Sequence, residues 1–184
     1  MSGFDFLVGE WDVANRRLRD FLDPGSGWQR FGATSRCWSL FDGAANVDEM
    51  DCPDQGFKGL TLRLLDRRSE EWALHWSTGG SGRLDEPVRG RFGAHGTGEF
   101  HGADTYAGTG VRVRYRWSGI GDRTARWEQA FAVDGGEGWL TNWVMEFSRR
   151  GRGPAGGARH GGAAGRLWPP GGTGSADYPA NTTG

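Results

Sequence analysis

Val111-Arg-Val-Arg-Tyr-Arg-Trp117 alternates apolar or aromatic residues with arginines, without interruption. In an extended chain this alternation places the arginines on one face and the other side chains on the opposite face, which indicates a half-buried β-strand. The same period of two occurs in residues 127–133 and 139–147. Weaker alternation predicts seven earlier strands at about 9–19, 28–40, 44–51, 57–66, 71–78, 87–93 and 97–106.

Short turns rich in glycine, aspartate and proline separate these ten segments, as at 23–27 and 134–138. Ten short strands joined in this way predict an all-β, antiparallel fold in up-and-down order. A closed β-barrel of about eight to ten strands leaves no open sheet edge and has room for one small ligand. A two-sheet sandwich without a cavity is the alternative. Residues 4–7 are expected to form a single helical turn before the first strand.

Hairpin registers that keep one face apolar predict which residues are neighbours. The last two hairpins pair Trp117 with Trp127 and Gln129 with Trp143. The earlier ones pair Leu64 with Trp72, Leu62 with Leu74, Leu60 with Trp76, Tyr106 with Val111, Asp104 with Val113 and Phe100 with Trp117.

The composition changes near Arg149. Residues 150–184 contain 11 of the 34 glycines and 4 of the 7 prolines, and their large apolar residues are only Leu167, Trp168 and Tyr178. Such a segment buries too little surface to offset the entropy of ordering. We therefore predict a barrel domain over 1–149 and a disordered tail over 150–184.

Charge and cysteine content exclude several classes of protein. A net charge of −1 argues against nucleic-acid binding, and no apolar run reaches the length of a membrane span. The N-terminus lacks a secretory pattern, so we expect a cytoplasmic protein. Cys37 and Cys52 are interpreted as free thiols, with a single disulfide as the alternative. The four histidines show no metal-binding spacing, and we expect neither metal nor cofactor.

Gly9-Glu10-Trp11 begins the first strand, and Arg149 ends the last. Lipocalins and other calycins carry a similar G-x-W, and this resemblance implies a tryptophan that closes one barrel end beneath a late-strand arginine. Residues 4–149 also resemble a family of uncharacterised bacterial calycin-like barrels. The motifs that carry the resemblance are F-D-F-L-V-G-E-W (4–11), N-V-D-E (46–49), R-W-E-Q-A-F (126–131) and T-N-W-V-M-E-F (141–147). It implies a fold, with Trp11 and Arg149 as closing residues, and no activity.

The inferred inner face combines many aromatic residues with few polar ones, which is typical of a small-molecule site. We expect a small hydrophobic or aromatic ligand in the lumen, although a filled core would have a similar composition. The facing of Thr34, Arg36, Asn46 and Asp48 is ambiguous. The candidate binding residues are Trp72, Trp76, Phe100, Asp104, Tyr106, Trp117, Trp127, Gln129, Thr141 and Trp143.

Two other functions remain open. An enzyme of isomerase or cyclase type would use Asp104 and Tyr106 as acid and base, because enclosure raises the pKa of a carboxyl group. A protein-interaction module would use the outward arginines 112, 114 and 116, which otherwise form a solvated face paired with glutamates. The sequence indicates neither the reaction nor the oligomeric state.

Overall fold

The computed structural model describes residues 3–133 and 138–151. Short 3-10 helices lie at Asp5–Leu7, Phe41–Gly43 and Pro53–Gln55. The ten strands are β1 (Gly9–Leu18), β2 (Trp28–Leu40), β3 (Ala45–Cys52), β4 (Phe57–Asp66), β5 (Glu71–Thr78), β6 (Val88–Phe92), β7 (Gly98–Tyr106), β8 (Thr109–Ser118), β9 (Thr124–Val133) and β10 (Leu140–Arg149). The predicted strands are all present, and no helix in the described ranges is long and apolar enough to cross a membrane.

The strands form a closed antiparallel barrel in which each strand pairs with its neighbours in sequence. The first and last strands close it, and Trp11 lies opposite Arg149 in their ladder. Closure provides each strand with two partners, which removes the open edges that a flat sheet would expose. The predicted all-β, up-and-down closed barrel is confirmed, and the sandwich alternative is wrong.

The turn between β7 and β8 is shorter than predicted. Ala107 and Gly108 alone form it, with φ angles of 48° and 81°. Positive φ at both positions matches the right-handed twist of the flanking strands. The predicted pairing is therefore wrong by two residues: Phe100 lies opposite Tyr115, and Asp104 lies opposite Val111. A shift of two leaves every side chain on its predicted face.

The register between β4 and β5 is wrong by one residue, which exchanges the two faces of β4. Leu74 pairs with Arg63 rather than Leu62, and Trp76 pairs with Thr61 rather than Leu60. The cause is a four-residue turn in which Asp66 Oδ1 accepts hydrogen bonds from the amides of Arg68 and Ser69. Leu60, Leu62 and Leu64 consequently lie on the outside, and Arg63 lies inside, buried.

The β8–β9–β10 registers match the prediction, with Trp117 opposite Trp127 and Gln129 opposite Trp143. A β-bulge between Thr141 and Trp143 inserts one extra residue into β10. The bulge places Thr141 opposite Ala130, on the outer face, and Asn142 becomes fully buried. The inward placement of Thr141 is therefore wrong, because a strict period of two cannot anticipate a bulge.

Aromatic residues close the barrel end that contains the start of β1. Phe4 and Phe6 enter this end from the first 3-10 helix, and we call them the plug. The ring of Phe4 lies 5.0 Å from that of Trp72 and 5.4 Å from that of Phe100. The guanidinium carbon of Arg149 lies 4.2 Å from the centroid of the Trp11 ring, so the expected contact between first and last strands is present.

A loop over residues 19–27 covers part of the opposite end. Phe21 from this loop is buried, stacks 5.2 Å from Tyr106 and meets Phe131 edge-on. Trp28 and Trp38 are 40% and 41% exposed on the outer surface. These two indoles are not part of the lumen.

The predicted domain boundary at 149/150 remains a prediction, because residues 152–184 lie outside the described residues. Arg150 still extends the β1 contact. Its amide donates to Glu10 O at 2.9 Å, and its Nε donates to Asp12 Oδ1 at 2.7 Å.

Candidate ligand-binding cavity

A central cavity lies between the plug and the loop at the opposite end. The centre of a water-sized sphere can occupy about 50 Å³ of its interior, and its empty space, including the opening to solvent, is about 600 Å³. Aromatic and aliphatic side chains form most of its wall, with a few polar groups among them. The lining residues are Ser35, Asp48, Met50, Thr61, Arg63, Leu74, Trp76, Tyr115, Trp117, Trp127, Gln129, Trp143, Met145 and Phe147.

Mutual contacts hold the aromatic wall in place. The rings of Trp127 and Trp143 meet edge to face at 5.8 Å, and Tyr115 meets Trp127 at 4.9 Å. Trp143 Nε1 also donates to Asn15 Oδ1 at 3.0 Å. Edge-to-face pairs are favoured by the ring quadrupole, so these indoles form a pre-organised surface.

A polar chain connects the cavity to the loop that covers the barrel end. Gln129 Nε2 donates to Asn142 Oδ1 at 3.0 Å, and Asn142 Nδ2 donates to Phe21 O at 3.3 Å. Both amide side chains are buried, and buried polar groups require hydrogen-bond partners. The bulge in β10 thus positions Asn142 to anchor the loop.

Arg63 supplies a positive charge deep in the cavity, next to the plug. Its Nη1 donates to Asn46 Oδ1 at 3.0 Å and forms an ion pair with Asp48 Oδ1. Ser35 Oγ lies 3.5 Å from the other carboxylate oxygen, and the guanidinium carbon lies 5.1 Å from the Phe4 ring centroid. A buried arginine is tolerated here because a carboxylate compensates its charge.

Two hydrogen-bond donors in the cavity wall have no partner. Arg63 Nε and Trp117 Nε1 are both buried and without a hydrogen bond. The guanidinium carbon of Arg63 lies 5.9 Å from the centroid of the Trp117 ring, so the two groups are close neighbours. Arg17 Nη1 is also unpartnered, but Arg17 does not line this cavity.

Half of the candidate binding residues line the cavity: Trp76, Trp117, Trp127, Gln129 and Trp143. Trp72 and Phe100 face inward but pack against the plug. Thr141 lies on the outer face because of the bulge.

Neither Asp104 nor Tyr106, the proposed acid/base pair, lines the central cavity. Tyr106 stacks on Phe21, and its hydroxyl oxygen accepts a hydrogen bond from the Phe21 amide at 3.3 Å. Asp104 lies beside a second opening, where its Oδ1 accepts from the Thr105 amide at 2.7 Å. The role of these two residues as catalytic partners remains a proposal.

This second opening lies beside the 79–87 loop. β5 and β6 pair only over 72–74, and the loop that follows is held by a 2.8 Å bond from the Asp85 amide to Trp76 O. Asp85, Glu86 and Asp104 give the opening an acidic rim.

Tyr115 lies between this opening and the cavity, since it lines both. Burial raises the pKa of Tyr115 well above its ordinary value, and the Asp104 and Asp85 carboxylates raise this pKa further.

Sequence reasoning missed Arg63 and left Asp48 undecided. Arg63 alternates with Leu60, Leu62 and Leu64, which suggested that the leucines face the core. The available signal was the β3–β4 hairpin, because its register brings Asn46 directly opposite Arg63. An amide and a carboxylate on β3 next to an arginine on β4 form a self-consistent inward polar group.

Both cysteines are free and buried. Burial raises the pKa of Cys37 and of Cys52 to about 12, against the partly opposing effect of Arg63 and Arg17 respectively. Within residues 3–133 and 138–151 no group of three or more His, Cys, Asp or Glu side chains could hold a metal ion.

Strand order, closure and cavity define the class of structure: a closed, ten-stranded antiparallel barrel with a partly enclosed lumen. No protein-family model and no curated protein matches the chain. Among solved structures it is similar to the S-type phycobiliprotein lyase CPES from Guillardia theta, at 13% sequence identity and a TM-score of 0.55. The match covers 82% of this chain and 92% of that chain. At this identity the similarity shows a shared fold.

Proposed function

We propose that the barrel binds a small, largely aromatic or apolar molecule in its central cavity. The observation that carries this proposal is a partly enclosed cavity whose wall is mostly aromatic and aliphatic. Ligand sites in proteins have this composition, with a small number of polar groups that orient the ligand. The similar barrel from Guillardia theta is named as a phycobiliprotein lyase, which supports a functional site in a barrel of this shape.

The aromatic side chains of the cavity wall hold one another in place, which favours ligand binding over closing of the cavity. Trp127 and Trp143 hold each other edge to face, and the Asn15 amide oxygen fixes Trp143. Side chains that are already ordered lose little further entropy when a ligand arrives. A flat, conjugated ligand would find ring surfaces at fixed angles and displace any water from apolar surface.

The two alternatives have weaker support. Asp104 and Tyr106, the acid and base expected for an enzyme, do not line the central cavity, and the charged groups in the cavity, Arg63 and Asp48, pair with each other. On the outer face, Arg112 and Arg114 lie over the Trp139 ring at 5.2 and 4.9 Å, and Arg116 lies 3.7 Å from Glu99. These local contacts satisfy the arginine row without a partner protein.

Titration with N-phenyl-1-naphthylamine, an uncharged fluorescent probe, tests the proposal. We expect saturable micromolar binding with quenching of tryptophan emission. Met145→Trp adds an indole to the cavity, since Met145 lines it, and should abolish binding while the barrel stays folded. Leu60→Trp is the matched control, because Leu60 lies on the outside at 37% exposure. Binding that survives Met145→Trp, or that Leu60→Trp abolishes equally, would place the site elsewhere.

A further inference from the structure

We infer that the ligand is an uncharged aromatic molecule with a carbonyl oxygen that accepts hydrogen bonds from Arg63 Nε and Trp117 Nε1. This inference rests on the proposed function and names the chemical class that the cavity recognises.

The unpartnered donors carry the inference. Arg63 and Trp117 are 4% and 2% exposed, and both line the cavity. A guanidinium Nε–H and an indole N–H can only donate, so the partner that each lacks is an acceptor. A buried donor without an acceptor is costly, and a bound acceptor would remove this cost.

We infer that one acceptor group serves both donors, because the two side chains are neighbours. The guanidinium carbon lies 5.9 Å from the Trp117 ring centroid, on the side of the cavity next to Phe4. Asn46 and Asp48 hold the guanidinium through Nη1, so Nε stays fixed in the wall. A carbonyl oxygen has two lone pairs and can accept from two donors at once.

Charge in the cavity favours a neutral acceptor over a carboxylate. Asp48 already compensates Arg63, so a carboxylate on the ligand would add a second buried negative charge without its own counter-ion. An uncharged carbonyl supplies the acceptor without this electrostatic cost.

Three naphthalenes with the same ring system test the inference: 2-acetylnaphthalene, 2-ethylnaphthalene and 2-naphthoate. Their dissociation constants are measured by displacement of N-phenyl-1-naphthylamine from the full chain. We expect the ketone to bind at least about tenfold more tightly than either the hydrocarbon or the carboxylate, as two additional hydrogen bonds imply. Equal affinity of ketone and hydrocarbon, or tightest binding of the carboxylate, would overturn the inference.

A matched pair of variants tests whether the Trp117 indole N–H causes the preference for the ketone over the hydrocarbon. Trp117→Phe removes the unpartnered N–H and should reduce the ratio of ketone to hydrocarbon affinity by about threefold or more. Trp127→Phe makes the same truncation elsewhere in the wall and should leave this ratio unchanged. A ratio that falls equally in both variants, or in neither, contradicts the assignment.

An infrared measurement on the unaltered protein covers the case in which a variant does not fold. The carbonyl stretch of bound, carbonyl-¹³C-labelled 2-acetylnaphthalene should lie below its frequency in hexane, because two donors polarise the bond. An unshifted stretch excludes the hydrogen bonds. If neither the naphthalenes nor N-phenyl-1-naphthylamine bind, the proposed function fails; hydrocarbon binding without a ketone preference contradicts only this inference.

Discussion

Arg63 carries a buried positive charge in the wall of the cavity. Its guanidinium is buried between the plug and Trp117, and Asp48 is its counter-ion. The pair is enclosed by a largely apolar environment, where one charge without the other is costly. The same isolation leaves Nε without a partner. A residue placed for packing alone would not combine these two properties.

We predict that Arg63→Met destabilises the barrel by about 3–5 kcal/mol, because it leaves the Asp48 carboxylate buried and unpaired. Combining it with Asp48→Leu should recover much of this loss, since the double variant buries neither charge. Urea unfolding of the two single variants and the double variant measures the three free energies. Losses that simply add would show that the two side chains do not interact in the folded protein.

The two buried cysteines give a prediction about pH. Burial holds their pKa near 12, against 9.0 for an ordinary thiol, so folding favours the protonated form. The associated stabilisation is complete below pH 9 and is lost as pH rises from 9 towards 12. At pH 8 the native protein should therefore react slowly with iodoacetamide at Cys37 and Cys52, and rapidly once unfolded. Native-state labelling at the rate of a free thiol would contradict this burial.

At the scale of the elements, the alternation in β8, β9 and β10 predicted their facing and their mutual pairing, except at Thr141 beside the bulge. Alternation works there because one face is aromatic and the other charged, so a slip would bury arginines. The same reasoning failed for β4, where three leucines alternate with Thr61 and Arg63. The middle of the inward face of β4 is polar or small, at Gly59, Thr61 and Arg63: a Cβ at Gly59 would lie 2.0 Å from the Trp76 ring. The sequence of β4 alone does not identify such an inner face, because its polar side chains are explained only by the residues of the neighbouring strands.

The candidate site, like the strands, was predictable only in part. Its tryptophans follow from facing alone, so the sequence located most of the aromatic wall. Its polar groups depend on turn length and on a bulge, which set whether Arg63 and Asn142 point inward. Local sequence patterns do not determine these features, so Arg63 was missed although Trp117 was identified.

Closure between β1 and β10 is tested by a double-mutant cycle on Trp11 and Arg149. Besides the 4.2 Å ring contact, Arg149 Nη1 donates to Val8 O at 2.6 Å, and its Nε donates to Asp122 O at 2.9 Å. We expect Trp11→Ala to cost about 3–5 kcal/mol and Arg149→Ala about 2–4 kcal/mol. The double variant should cost about 0.5–2 kcal/mol less than their sum. Strict additivity in thermal or urea unfolding would mean that the two strands close without this contact.

At the scale of the whole molecule, the barrel has three zones along its axis. The plug and the Trp11–Arg149 contact close one end, the aromatic cavity occupies the middle, and the 19–27 loop covers part of the other end. The closed end carries Arg63, so a ligand that enters from the open side meets the polar donors last. A ligand with a carbonyl group at one end would therefore bind with this end towards Arg63 at the closed end of the barrel.

Truncation tests how far the barrel extends along the chain. A chain ending at residue 151 should melt within a few degrees of the full-length protein, because the ladder between β1 and β10 is complete. A chain ending at residue 148 loses Arg149 and Arg150 with their contacts to Trp11 and Asp12, and should melt several degrees lower. One kcal/mol corresponds to ~2–6 °C for a domain of this size. A large decrease in the melting temperature of the chain that ends at residue 151 would show that residues 152–184 belong to the folded unit.

The central claim, that the lumen binds an aromatic ligand, is tested most directly by the indole N–H signals in a ¹H–¹⁵N correlation spectrum. The chain carries tryptophans both in the cavity and on the outer surface, so each indole reports on one location. On titration with 2-acetylnaphthalene we predict that the signals of Trp76, Trp117, Trp127 and Trp143, assigned by Trp→Phe variants, shift together and saturate, while those of Trp28 and Trp38 do not move. Shifts confined to Trp28 and Trp38, or no shift of any cavity indole at saturating ketone, would contradict the account.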